Sequence, residues 1–160
     1  MARLVVPALV LAALLAGCGG GTPTVSQEGP GAFVTRILRE EISGQWSRQW
    51  RDLHPAHQRL ITQSQYVVCS RRMGTDFATG DEVFKVIDVK DEPIKVKDVP
   101  QRTSKVVAIT LREPGSDTIP TYHLHAVSVS GRWTWILGGR FLSALARGQC
   151  LDGSPLPTTA

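Results

Sequence analysis

The run Val127-Ser128-Val129-Ser130-Gly131-Arg132-Trp133-Thr134-Trp135 alternates apolar and polar side chains on either side of one glycine. A period of two puts every second side chain on the same face of a strand, and glycine supplies the positive φ of a tight turn. The run therefore reads as a hairpin: a long strand over 118–130 turns at Gly131 into a second strand over 133–137. Upstream, residues 105–111 (KVVAITL) are strongly β-branched, and 83–89 (VFKVIDV) alternate. Turns are expected at 91–93 (DEP) and 113–117 (EPGSD). Residues 94–99 continue the strand or form an edge, where Lys95, Lys97 and Asp98 discourage pairing with another chain.

Ahead of the strands the periodicity is helical. Phe33, Val34, Ile37, Leu38 and Ile42 recur at three- and four-residue steps, and Ser43-Gly44 ends that stretch. Trp46, Trp50 and Leu53 form a second stripe. Pro55 disfavours helix at His54 and opens a third helix, with His57, Leu60 and Ile61 on one side and the His54 ring placed to cap nearby amides. Residues 66–69 (YVVC) read as a short extended piece and 71–80 as a polar loop. Residues 140–147 are ambiguous, with Phe141, Leu142 and Leu145 suited to a short terminal helix. Helices followed by a run of strands give an α+β class, with N-terminal helices packed on a curved antiparallel sheet.

The formal charge of +4 is unevenly spread. Residues 36–72 hold seven arginines against three acids, and 73–100 hold four lysines against seven acids. No like-charge run is long enough for a nucleic-acid arm, so nucleic acid is not expected as a partner. The arginine block reads first as a solvated helix face, although such a block can also lie near anionic lipid headgroups.

At the other end of the chain, an apolar run over 4–14 follows a lone Arg3 and closes on Leu15-Ala16-Gly17-Cys18. The run is too short to span a bilayer, which takes about 20 apolar residues. The four closing residues resemble the lipobox of bacterial lipoproteins. That resemblance implies a signal peptide over 1–17 and a diacylglyceryl thioether on Cys18, with a further acyl chain such as palmitate on the new amine. It places the protein on the extracytoplasmic face of the cell membrane. Residues 18–31 then carry the lipid and a flexible linker rich in Gly, Pro, Ser and Thr, and 151–160 form a disordered tail. With Cys18 given to lipid, Cys69 and Cys150 are an even pair in an oxidising compartment, and a disulfide is the economical reading against two unpaired buried thiols.

The helices, Trp50-x-x-Leu53-His54-Pro55-x-x-Gln58 and the closing Val127-x-Val129-x-Gly131-Arg132-Trp133-x-Trp135 hairpin resemble the nuclear-transport-factor-2-like (NTF2-like) cone superfamily, in particular its small envelope lipoproteins. The resemblance implies a cone-shaped domain over 32–150. It implies little about activity, because that superfamily holds isomerases, dehydratases and catalytically silent domains alike.

His123 and His125 lie two apart on one strand and so share a face, with the parity of Val127 and Val129. A metal there needs a third ligand from His54, His57 or Asp76, and none is evident, so no metal or other cofactor is expected. No phosphate-binding glycine loop, Gly-x-Ser-x-Gly, His-Glu-x-x-His or Cys-x-x-Cys is present. Two readings follow. In the first, the domain is a non-catalytic binding module whose cavity or sheet face takes an apolar small ligand or an envelope protein, with Tyr66, His123, His125, Trp133 and Trp135 as candidate lining residues and Trp46 and Trp50 nearby. In the second, it is a small cofactor-free isomerase or dehydratase with His123 or His125 as base.

Overall fold

Pro30 opens helix α1 (Pro30–Ile42) two residues before the expected start. Its fixed φ suits the first helical turn, and the N–H it lacks would have had no partner there. A computed structural model describes residues 28–73, 83–112 and 119–158. The proposed signal segment, Cys18 and the linker up to residue 27 lie outside them. Residues 28–31 do not serve as linker: Glu28 ties back to Arg36 at 3.1 Å, and Pro30 and Gly31 are helical. At the other end of α1, the Ser43 hydroxyl donates to the Arg39 carbonyl (2.6 Å) and Gly44 adopts φ +67°. That left-handed residue ends the helix, and it is where glycine costs least.

Helix α2 (Trp46–Arg51) is followed by α3 (Pro55–Gln58), with His54 as the residue capping α3. Helix α4 (Gln63–Met73) replaces the extended piece expected at 66–69. The β-branched pair Val67-Val68 suggests a strand, but Thr62 and Gln65 form a reciprocal capping box. The Gln65 N–H donates to Thr62 Oγ1 (3.3 Å), and the Thr62 N–H donates to Gln65 Oε1 (3.1 Å). Tyr66, Cys69 and Ser70 then face inward at helical spacing.

Strands β1 (Val83–Pro93), β2 (Thr103–Arg112), β3 (Thr121–Val129) and β4 (Arg132–Trp135) form one curved antiparallel sheet in sequential order. The hairpin turns where expected. Val129 pairs with Arg132, and Ser130 (φ 51°) and Gly131 (φ 78°) both take the positive φ of a type I′ turn. Strand β1 runs past the turn expected at 91–93 and ends on Pro93, while 94–99 is not a strand. The reversal comes there instead, with Asp98 at φ 67° and Ile94 N–H bonded to the Arg102 carbonyl (2.9 Å). A bulge between Val86 and Asp88 interrupts the β1–β2 register. Helix α5 (Gly139–Ala146) resolves the ambiguous 140–147 stretch as a helix.

Two apolar clusters hold the layers together. Phe33, Val34 and Ile37 of α1 press on Val107, Ile109 and Ala126 of the sheet. Leu53, Ile61, Tyr66, Cys69, Leu137, Phe141 and Cys150 form the second, under α4 and α5. Residues 151–158 pack where fraying was expected. Leu156 lies on the second cluster, the Gln65 amide donates to the Pro157 carbonyl (3.0 Å), and Arg72 donates to Ser154 Oγ (2.7 Å). Among the described residues no helix is long and apolar enough to cross a membrane.

Candidate functional site

Cys69 and Cys150 form a disulfide, with Cα atoms 5.3 Å apart. It joins α4 to the residue beyond α5. Cys18 lies outside the described residues.

The other candidate residues do not converge. Register pairs Val107 with Leu124 and Ala126 with Trp135, so Tyr122, Leu124, Ala126, Trp133 and Trp135 share the face that meets α1. His123 and His125 are on the opposite face. His123 is exposed, and half-buried His125 is bonded through Nδ1 to Ser104 Oγ (2.7 Å). Val127 on their face is fully buried. Among the described residues no three His, Cys, Asp or Glu side chains stand close enough to hold a metal.

Tyr66 lies inside the second cluster, its ring 6.2 Å from Trp135 and 6.1 Å from Phe141. Its hydroxyl donates to Gln49 Oε1 in a short bond. Gln49, which pattern reading missed, is 3% exposed and acts as a hub: its amide reaches the Ile37 carbonyl (3.4 Å), and its own carbonyl accepts from Trp135 Nε1 (2.9 Å). Burial, and then the neighbouring Glu41 charge, push the Tyr66 hydroxyl well above its usual range, so it remains a donor. Burial also raises the Glu41 carboxyl. These groups clamp α1, α2, α4 and β4 together, with Trp46, Trp50 and Trp135 half-buried against the second cluster and Trp133 half-buried against the first.

The two buried histidines are structural in the same sense. His54 Nδ1 accepts from Ala56 N–H (3.1 Å), the amide-capping role expected for it. The ring proton is therefore on Nε2, which donates to Gln101 Oε1 (2.7 Å). His57 Nδ1 accepts from Leu137 N–H (2.9 Å). Burial first, and His54 second, lower the His57 pKa to about 4.

A highly charged concavity lies at the junction of α1, α2 and β4. It is a cleft of about 350 Å³ lined by Arg36, Glu40, Arg48, Arg51, Asp52 and Arg132. Arg36 bridges Glu28 (3.1 Å), Glu40 (3.1 Å) and Asp52 (2.6 Å), and Arg132 closes on the other Asp52 oxygen. Burial works against the Arg36 charge, but Glu28 and Asp52 outweigh it and hold the guanidinium firmly protonated. Arg48 and Arg51 are exposed and form no ion pair among the described residues. The Arg36–Glu40 spacing is legible as an i,i+4 pair, whereas Arg132 joins from the far end of the chain. A second concavity, of about 280 Å³, includes Ser104, Lys105, Ser128 and Trp133.

Comparisons with protein-family models, curated proteins and solved structures found no match.

Proposed function

We propose that this chain is a lipid-anchored lipoprotein of the extracytoplasmic membrane face, and that its folded unit is a non-catalytic, NTF2-like interaction module. The observation that carries this reading is the Cys69–Cys150 disulfide. The chain has three cysteines, so the pair leaves Cys18 as the odd one, at the end of an apolar run and the Leu15-Ala16-Gly17 triplet. A disulfide fits an oxidising compartment, and a lone cysteine there calls for another fate. Helices preceding a curved antiparallel sheet are compatible with the cone architecture. The binding reading is favoured over the isomerase reading because Tyr66, His54 and His57 are engaged in core hydrogen bonds, and His123 and His125 lie across the sheet from Tyr66. The partner is an envelope protein or an apolar small ligand.

Cys18→Ser tests the anchor. The wild type should sediment with membranes and carry a thioether-linked diacylglycerol at its mature N-terminus, and the variant should not. A wild-type protein in the membrane fraction that retains its first seventeen residues and an unmodified Cys18 refutes the anchor. Replacing both His123 and His125 by Ala should leave folding and partner capture intact.

A further inference from the structure

We propose that the arginine-rimmed cleft between α1, α2 and β4 is the membrane-facing surface of the domain, where Arg48, Arg51 and Arg132 receive phosphate groups of anionic phospholipids. The orientation rests on the lipid-anchor reading above; the charge and geometry do not. The acids of the cleft are already committed. Glu28, Glu40 and Asp52 all contact Arg36, and Asp52 also binds Arg132. Arg48 and Arg51 have no such partner among the described residues and stand exposed on the rim. The Arg132 side chain is 65% exposed beside them. Guanidinium groups are weakly hydrated and fork-shaped, which suits phosphate oxygens.

The position of the chain's entrance supplies the second argument. Residue 28 reaches the domain at this cleft, its carboxylate 3.1 Å from Arg36. Cys18 is ten residues earlier. Ten residues span at most about 35 Å however they are arranged. A domain held that close by an anchor attached at the cleft meets the bilayer at high effective concentration, so contacts too weak to bind from solution are sufficient. Attraction between these arginines and an anionic surface then orients the domain, and it fades with salt because exposed charges are screened.

The test uses mature protein purified from cells, incubated with neutral phosphatidylcholine vesicles or with vesicles that also contain phosphatidylglycerol. An arginine-directed dicarbonyl reagent is applied, and each site is read by mass mapping. Modification of Arg48 and Arg51 should slow about tenfold or more on the anionic vesicles relative to the neutral ones and recover in high salt, with Arg140 on α5 unchanged as the control. In the Arg48→Ala/Arg51→Ala variant, Arg132 should lose its protection while the near-ultraviolet circular dichroism stays native. Equal rates on both vesicle types overturn the proposal, as does an Arg132 that remains protected in the variant. Equal protection by soluble glycerol phosphate without vesicles also overturns it, in favour of a free phosphate ligand. The mass of the mature N-terminus reports separately on the anchor: unmodified Cys18 with vesicle-dependent protection retains the docking surface and removes the tether, and the converse removes the docking surface alone.

Discussion

The main-chain N–H of Leu137 donates to Nδ1 of His57 across 2.9 Å, joining the end of the sheet to α3 through a ring that is fully buried. The bond requires an unprotonated Nδ1. The other ring nitrogen has no hydrogen-bond partner among the described residues, so a charged imidazolium would have little to stabilise it. The folded pKa, about 4, lies below the ordinary 6.5. Between those values the unfolded chain binds a proton that the folded chain does not, so stability falls as pH drops through this window and levels off below it. The full loss is of order 3 kcal/mol. His57→Gln should lower stability at neutral pH and flatten this dependence. Denaturant titrations of both proteins at pH 7, 5.5 and 4.5 measure it; parallel curves would mean that His57 titrates alike in the folded and unfolded chain.

Asp52 is the carboxylate that the cleft turns on, and its two partners should differ in weight. Arg36 is half-buried and meets Asp52 at 2.6 Å, whereas Arg132 is largely exposed. Exposed pairs couple weakly because water screens them and side-chain entropy is lost, typically by under about 1 kcal/mol. Double-mutant cycles should give about 1–2 kcal/mol for Asp52–Arg36 and about 0.5 kcal/mol for Asp52–Arg132. Equal couplings would show that burial does not rank these bonds.

Which parts of this structure were legible in the sequence depends on how local their causes are. The hairpin at Ser130-Gly131, the α3 start at Pro55 and the break at Gly44 come from two or three adjacent residues, and all three are found. The α4 stretch looks extended in the sequence because the β-branched pair Val67-Val68 favours a strand. The stronger signal, the Thr62-x-x-Gln65 capping box, is also local. Gln49 and Arg132 could not be found in this way. Gln49 looks like one polar residue in a polar helix, and its importance comes from Tyr66 and Trp135, 17 and 86 residues away. The parity of His123 and His125 was legible, but not which sheet face the helices cover.

The Thr62 capping box predicts a specific cost. Thr62→Ala removes the acceptor for the Gln65 N–H and should destabilise the protein by about 1 kcal/mol. Thr62→Ser keeps the hydroxyl and should recover most of that loss in thermal denaturation. Wild-type stability in Thr62→Ala would show that α4 is held by packing alone.

Tyr66→Phe keeps the ring against Trp135 and Phe141 but leaves Gln49 Oε1 without the hydroxyl it accepts from. An unsatisfied buried acceptor costs about 1–3 kcal/mol, more than the net value of the bond itself. Adding Gln49→Met removes the orphaned acceptor, so the double variant should be more stable than the two single losses predict. Strict additivity in urea unfolding would show that the hydroxyl and the amide are not coupled.

The disulfide yields the largest effect. Cys69 and Cys150 are 81 residues apart and both fully buried, and a crosslink of that span constrains the unfolded chain by up to about 4–5 kcal/mol. Beyond the bridge, the final residues are held by individual contacts, including Gln65 with Pro157 and Arg72 with Ser154. Without the covalent bond, those contacts and the apolar face of α5 must secure the C-terminal segment unaided. Cys69→Ser/Cys150→Ser should therefore unfold at lower denaturant, and limited proteolysis should cut first between 147 and 158 while the β2–β3 core remains intact. The wild type should show no alkylatable thiol at either position until reduced. Early cleavage within the sheet, with the C-terminal segment still protected, would instead show that the contacts of that segment hold it without the bridge.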